Sequence, residues 1–164
     1  AELKAELEGH LRVLLASLSQ SPGGPGSTPP GGTTPAGGGS PPAALPDLVP
    51  TLAAATATVS DIIVHDAVRN QGPADAGPFA VTFYLSRDAV LDGTDIPFCS
   101  RTVPGLKGGG TGAAAAVSEA RTTCAWPPGA TGSYHVIVVI DAANAVREAL
   151  ETNNQRATPA IRKP

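Results

Sequence analysis

The sequence predicts an all-β domain, a seven-stranded β-sandwich over residues 46–164, preceded by an amphipathic α-helix at 1–20 and a linker at 21–45. Three observations lead to this division. Leucines recur at spacings of three and four in the first twenty residues, and Gly, Pro, Ser and Thr dominate the next segment. Beyond that segment, short runs of alternating apolar and polar residues are separated by turn signals. No strand–helix alternation appears, which excludes Rossmann and barrel enzymes.

Six leucines define the predicted helix, because they share one stripe about 120° wide on a helical projection. A helix of this length is marginal in water by itself, so the stripe requires an apolar partner. The partner is the chain's own sandwich, a membrane surface or another copy of the helix. The linker disfavours the first, and acidic residues with few Lys or Arg disfavour the second. The sequence therefore predicts self-association through Leu3, Leu7, Leu11, Leu14, Leu15 and Leu18.

The linker is recognised by its composition. Residues 21–42 are Gly, Pro, Ser or Thr with the single exception of Ala36. Such a segment buries too little apolar surface to offset its ordering entropy. We expect a spacer that is part flexible and part polyproline-like.

Seven short segments carry strand signals, and alternation is clearest in Phe79, Val81, Phe83 and Leu85. The segment at 134–142 is apolar on both faces, which predicts a central strand. In the second segment, Asp66 would point inward unless a bulge intervenes. The predicted strands are 47–55, 60–69, 79–87, 96–102, 114–123, 134–142 and 155–161.

The two cysteines, Cys99 and Cys124, favour a disulfide over two buried free thiols or a reactive cysteine. This preference depends on an exported chain. Methionine is absent, even at position 1, which favours a processed N-terminus such as removal of a signal peptide leaves; truncation is the alternative.

Charge excludes two classes of partner. The net charge is −3 and only three lysines occur, so neither a nucleic-acid stripe nor a polybasic membrane patch is expected. No apolar run reaches the about 18 residues that a membrane span requires.

Two groups of acidic residues are candidates for chemistry. Asp88, Asp92 and Asp95 form an acidic loop that could bind calcium, although their spacing is not that of an EF-hand; an Asp-rich turn is the alternative. Glu148 and Glu151 lie too close in sequence for a glycosidase pair, which normally comes from distant elements. No nucleophile–base arrangement is apparent, and we expect no catalytic residue and no cofactor.

Seven short motifs in register resemble the bacterial cell-adhesion-related domain, CARDB. The most specific is the last cluster, DAANAV at 141–146 and EALETNN at 148–154. The others are PDLV at 46–49, VRNQG at 68–72, DAG at 75–77, FYLSRD at 83–88, VPGL at 103–106 and GSY at 132–134. The resemblance implies a seven-stranded immunoglobulin-like sandwich on an exported prokaryotic protein, used as a spacer, stalk or adhesive module without enzymatic activity. The helix and linker lie outside it.

The last cluster also has a structural interpretation. Asp141 caps the turn after its strand, Glu148 and Glu151 accept backbone N–H bonds, and Asn153 and Asn154 tolerate left-handed conformations. Trp126 and Tyr134 are better explained as core residues than as a sugar-binding surface.

These observations predict a non-enzymatic extracellular structural subunit that self-assembles through its helix into a filament or other surface assembly, with the sandwich outside. The expected partners are copies of the chain. The alternative is an adhesion or carbohydrate-binding module tethered by the linker, with surface glycans or other cell-surface proteins as partners.

Overall fold

A computed structural model describes residues 43–109 and 116–164. The predicted helix and nearly all of the linker lie outside them. The described residues form eight strands: β1 (Leu48–Ala57), β2 (Asp61–Asn70), β3 (Phe79–Ser86), β4 (Ile96–Val103), β5 (Val117–Ala125), β6 (Ser133–Ile140), β7 (Gln155–Ala157) and β8 (Ile161–Arg162). In this part of the chain, no helix is long and apolar enough to cross a membrane.

The strands form two antiparallel sheets, which confirms the all-β sandwich. One sheet has the order β1-β2-β5; the other has the order β4-β3-β6-β7, with β8 also paired to β6. The fourth strand therefore lies beside the third, whereas a constant-type immunoglobulin domain places it in the sheet of the fifth.

The predicted last strand at 155–161 is two short strands instead of one. Pro159 lies between them and has no N–H to donate to a ladder. The hydroxyl of Thr158 takes over part of the pairing, since it accepts the N–H of Val136 at 3.0 Å. Most other boundaries shift by one to three residues.

The core lies between the sheets and consists of the inward rows of the strands. Val64 on β2, Phe83 on β3 and Val138 on β6 are fully buried. Phe79, Val81, Phe83 and Leu85 are all buried, which confirms the predicted alternation. β6 lies between β3 and β7, and Ile137 on its other face is only 1% exposed, so the predicted central position is confirmed.

One side of the sandwich is cross-linked between the sheets, where the edge strands β4 and β5 face each other. Cys99 and Cys124 form the predicted disulfide, with their Cα atoms 6.0 Å apart. Beside it, Asp66 points inward and is fully buried, and Arg101 on β4 donates from Nε to both of its carboxylate oxygens at 3.0 Å. The inward Asp66 was predicted, whereas its partner was not.

Candidate functional site

The most polar part of the interior lies where the chain enters the sandwich. Glu148 is 5% exposed, and its carboxylate accepts the N–H of Leu48 at 2.5 Å and the side-chain amide of Asn154 at 2.8 Å. We call Asp47, Asp141, Glu148, Asn153 and Asn154 the anchor cluster. It joins the first residues of β1 to the segment between β6 and β7.

A tight turn after β6 builds this cluster. Asp141 accepts the N–H groups of Ala145 at 3.0 Å and Val146 at 2.7 Å. Glu151 accepts the N–H of Glu148 at 2.9 Å. These contacts confirm the predicted capping roles of the carboxylates. The left-handed residues, however, are Asp141 and Asn144, both with φ of 49°, rather than Asn153 and Asn154.

Asp47 connects the cluster to β2. Its carboxylate accepts hydrogen bonds from Asn153 Nδ2 at 2.8 Å and Gln71 Nε2 at 2.9 Å. Asn70 is fully buried and accepts the N–H of Asp47 at 3.1 Å. The carbonyl of Pro46 accepts the N–H of Ala149 at 2.8 Å. The start of β1 is thus held by the end of β2 and by the segment between β6 and β7.

Burial raises the pKa of the Glu148 carboxyl to about 7 from an ordinary value of 4.5. The hydrogen bonds from Leu48 and Asn154 oppose this shift, and the charges of Glu151 and Asp141 add to it. Because these carboxylates accept bonds from the fold itself, the cluster is suited to holding β1 in place rather than to proton transfer. A hollow of about 410 Å³ beside it is lined in part by Tyr84, Asn144 and Glu151.

In the acidic loop, each of the three carboxylates accepts a hydrogen bond from a backbone N–H group of the same loop. Asp88 accepts the N–H of Val90 at 2.8 Å, and Asp95 accepts the N–H of Asp92 at 2.9 Å. Asp92 accepts both the hydroxyl and the N–H of Thr94, and these bonds lower the pKa of its carboxyl. Within residues 43–109 and 116–164, no three or more His, Cys, Asp or Glu are grouped to hold a metal ion. The calcium loop stays a prediction.

Trp126 and Tyr134 lie at the opposite end of the sandwich from the anchor cluster's turn and belong to the core, as predicted. Trp126 is 8% exposed, and its indole N–H donates to the carbonyl of Thr58 at 2.9 Å. Its ring centroid is 6.1 Å from that of Tyr134, and the Arg87 guanidinium lies 3.9 Å above the Tyr134 ring. The six leucines of the predicted helix lie outside the described residues.

These features define an antiparallel β-sandwich with a polar anchor at the start of its first strand and cross-links on one side. The CARDB family model matches residues 45–158, and the chain belongs to this family. The predicted resemblance is therefore confirmed.

One solved structure agrees at the level of the fold. The chain is similar to the CARDB domain of a Pyrococcus furiosus protein, crystallised in complex with two metal ions, with 20% identity and a TM-score of 0.52 over 72% of this chain and 93% of that domain. It is also similar to a domain of a Methanosarcina acetivorans protein provisionally assigned to the cell surface, with 26% identity and a TM-score of 0.46 over 69% and 88% of the two chains. No curated protein matches the chain.

Proposed function

We propose that this chain is a non-enzymatic, exported structural subunit that assembles through the helix at 1–20 and carries its CARDB sandwich on the outside. One observation carries the proposal. The described core is formed by residues between Leu48 and Ile161, whereas the leucine stripe at 1–20 requires an apolar partner of its own.

The energetics favour the helix as the main contact. Complete burial of six leucines would contribute roughly 9–18 kcal/mol as an upper bound. The linker would span from about 26 Å as a flexible coil to about 68 Å when extended. That reach leaves room for a sandwich outside a helical core.

Two features of the sandwich support the rest of the proposal. Its buried acidic residues serve the fold: Asp141 and Glu148 accept backbone N–H groups, and Asp66 pairs with Arg101. A disulfide between Cys99 and Cys124 suits an oxidising compartment, in agreement with export.

The test compares two faces of the helix in the full chain. Leu7→Asp together with Leu11→Asp charges the stripe, and Ala5→Asp together with Ala16→Asp puts the same charge on the opposite face. Sedimentation velocity should show assembly for the wild type and the control pair, and monomer for the leucine pair. Deleting residues 1–20 should likewise give a monomer with the β circular dichroism of the sandwich.

Assembly of the leucine pair or of the deletion would reject the helix as the contact, as would a monomeric wild type at high micromolar concentration. Glycan-array binding by a monomeric wild-type chain would instead support the carbohydrate-binding alternative. A stacking platform is not evident for it, because all six aromatic side chains lie among the described residues and none is exposed.

A further inference from the structure

The two sheets have four edges, and their protection is unequal. Unpaired strand edges are templates for other strands, and proteins normally shorten, charge or cover them. The edges of β4 and β5 face each other and are linked by the disulfide, and β5 also exposes Glu119 and Arg121. β7 and β8 contain three and two residues and expose Arg156 and Arg162. Among the edge strands of the described sheets, only β1 is long and without a charged residue.

A bulge divides β1 into two halves that differ in their surroundings. The register with β2 shifts between Pro50 and Leu52. Before the shift, Glu148 binds the N–H of Leu48, and Arg156 donates to the carbonyl of Thr51 at 3.2 Å. After it, residues 52–57 pair with β2 on one side, and no described residue outside β2 forms a hydrogen bond with their backbone.

We call residues 52–57 the free half of β1. Their composition is that expected of a strand that pairs with a second copy of itself. Residues 52–57 read LAAATA, and no charge occurs anywhere between positions 48 and 60. In an antiparallel pair related by a two-fold axis, each residue faces a copy of its own segment, so charged side chains would tend to oppose like charges. This segment carries none, and all of its side chains except Leu52 are small.

The two faces of the free half also suit a continued sheet. Ala53, Ala55 and Ala57 pack against the core, whereas Thr56 is exposed on the outer face. Just beyond the strand, Val59 is 77% exposed, the highest value among the large apolar residues described. In a two-fold pair it would lie near the uncharged start of β1 in the second copy.

We propose that residues 52–57 of two copies pair antiparallel, β1 to β1, and join two three-stranded sheets into one of six strands. This contact lies in the sandwich and is separate from the helix. Six paired residues bury less than the about 800 Å² per partner of a standard interface, so the contact is weak between free monomers. Helix-mediated assembly would strengthen it by raising the local concentration to the millimolar range.

Cross-linking in the full chain tests the pairing, with matched controls across β2. Ala54 and Arg121 both flank His65, on β1 and β5 respectively. In an antiparallel pair, opposed side chains share a face, which permits a two-fold axis at Ala54, with Leu52 opposite Thr56 and Thr51 opposite Ala57. The two Ala54 residues then face each other with a Cα separation of about 4.5–5.5 Å, which allows a disulfide. Under mild oxidation, Ala54→Cys should form dimers at least tenfold faster than Arg121→Cys, with the link mapped by mass spectrometry.

A second experiment places a charged residue at the edge of β1. Thr56 and Thr123 both flank Ile63 and are both exposed. In the Ala54→Cys background, Thr56→Lys should reduce cross-linking at least tenfold, and Thr123→Lys should leave it unchanged. Equal rates for Ala54→Cys and Arg121→Cys, or no effect of Thr56→Lys in a chain with unchanged melting temperature, would overturn the proposal. If the helix hypothesis alone fails, Ala54→Cys still cross-links at millimolar concentration.

Discussion

At the scale of single residues, Asp66 is a carboxylate that the fold buries between the two sheets and must therefore pair. Its carboxylate is fully buried, and the Arg101 side chain is 12% exposed. Arg101 also donates from Nη1 to Ser118 Oγ at 3.0 Å and from Nη2 to the Ser118 carbonyl at 3.1 Å. One guanidinium therefore connects β2, β4 and β5. An ion pair of this kind is not in itself strong evidence of stability, but each partner requires the other.

Removing one partner should therefore cost more than removing both. Asp66→Ala leaves the guanidinium without its carboxylate and should lower the free energy of unfolding by about 3–5 kcal/mol. The double variant Asp66→Leu, Arg101→Met replaces the pair with apolar groups and should lie within about 2 kcal/mol of the wild type. Urea denaturation measures both. A loss below about 1 kcal/mol for Asp66→Ala would show that the pair is not a structural requirement.

Glu148 makes stability depend on pH in the direction opposite to most paired carboxylates. Its pKa is raised to about 7 in the fold, above the ordinary 4.5, so between these values the folded state binds more protons than the unfolded chain. The contribution of Glu148 to stability is therefore complete below about pH 4.5 and is lost as the pH rises through 7. The shift corresponds to a loss of at most about 3 kcal/mol.

The variant Glu148→Gln isolates this effect. Its amide carbonyl keeps a bond to the Leu48 N–H. Asn154 Nδ2 faces the other carboxylate oxygen in the wild type, so the Asn154 amide must rotate by about 180° to accept the glutamine N–H₂ on Oδ1, which has no partner among the described residues. Glu148→Gln should match the wild type at pH 5 and be more stable at pH 8, and urea midpoints across this range measure the difference. The control Asp88→Asn, on the exposed loop, should keep the wild-type slope. Parallel curves for Glu148→Gln and the wild type would contradict the assignment.

At the scale of secondary-structure elements, most of the strands could be predicted from the sequence, because each strand is a local pattern of alternating residues. β2, β3, β4 and β6 begin and end within three residues of their predicted limits, since an alternating row such as Phe79 to Leu85 needs no distant partner to be recognised. The break between β7 and β8 depends on how Thr158 and Pro159 meet β6. That arrangement is a property of the sheet and not of the segment alone.

The anchor cluster shows the same limit. Asp141 as a turn cap was predictable, because the N–H groups it binds lie four and five residues away. Glu148 binds Leu48, 100 residues away, and Asp66 binds Arg101 across the two sheets. An inward aspartate signals that a cation is needed, but eight arginines are available and only the folded arrangement selects one.

At the scale of the whole molecule, the two sides of the sandwich are organised differently. On one side, the disulfide and Arg101 join β4 to β5 and hold the sheets together. On the other side, the anchor cluster fixes the start of β1, and the second half of this strand pairs only with β2 among residues 43–109 and 116–164. The cross-linked side and the edge of β1, as the described residues place them, agree with the proposed pairing of two copies along one direction.

The disulfide should therefore contribute to global stability, because Cys99 and Cys124 are separated by 25 residues and the bond restricts the unfolded chain. A loop of this length corresponds to about 3 kcal/mol. Reduced wild-type protein should remain folded but unfold at a lower urea concentration than the oxidised form. Labelling of both cysteine thiols verifies that the disulfide is fully reduced. Cys99→Ser with Cys124→Ser should be insensitive to reductant. Identical urea midpoints for fully reduced and oxidised protein would show that the sheets are held together without the bond, by the core and Arg101 alone.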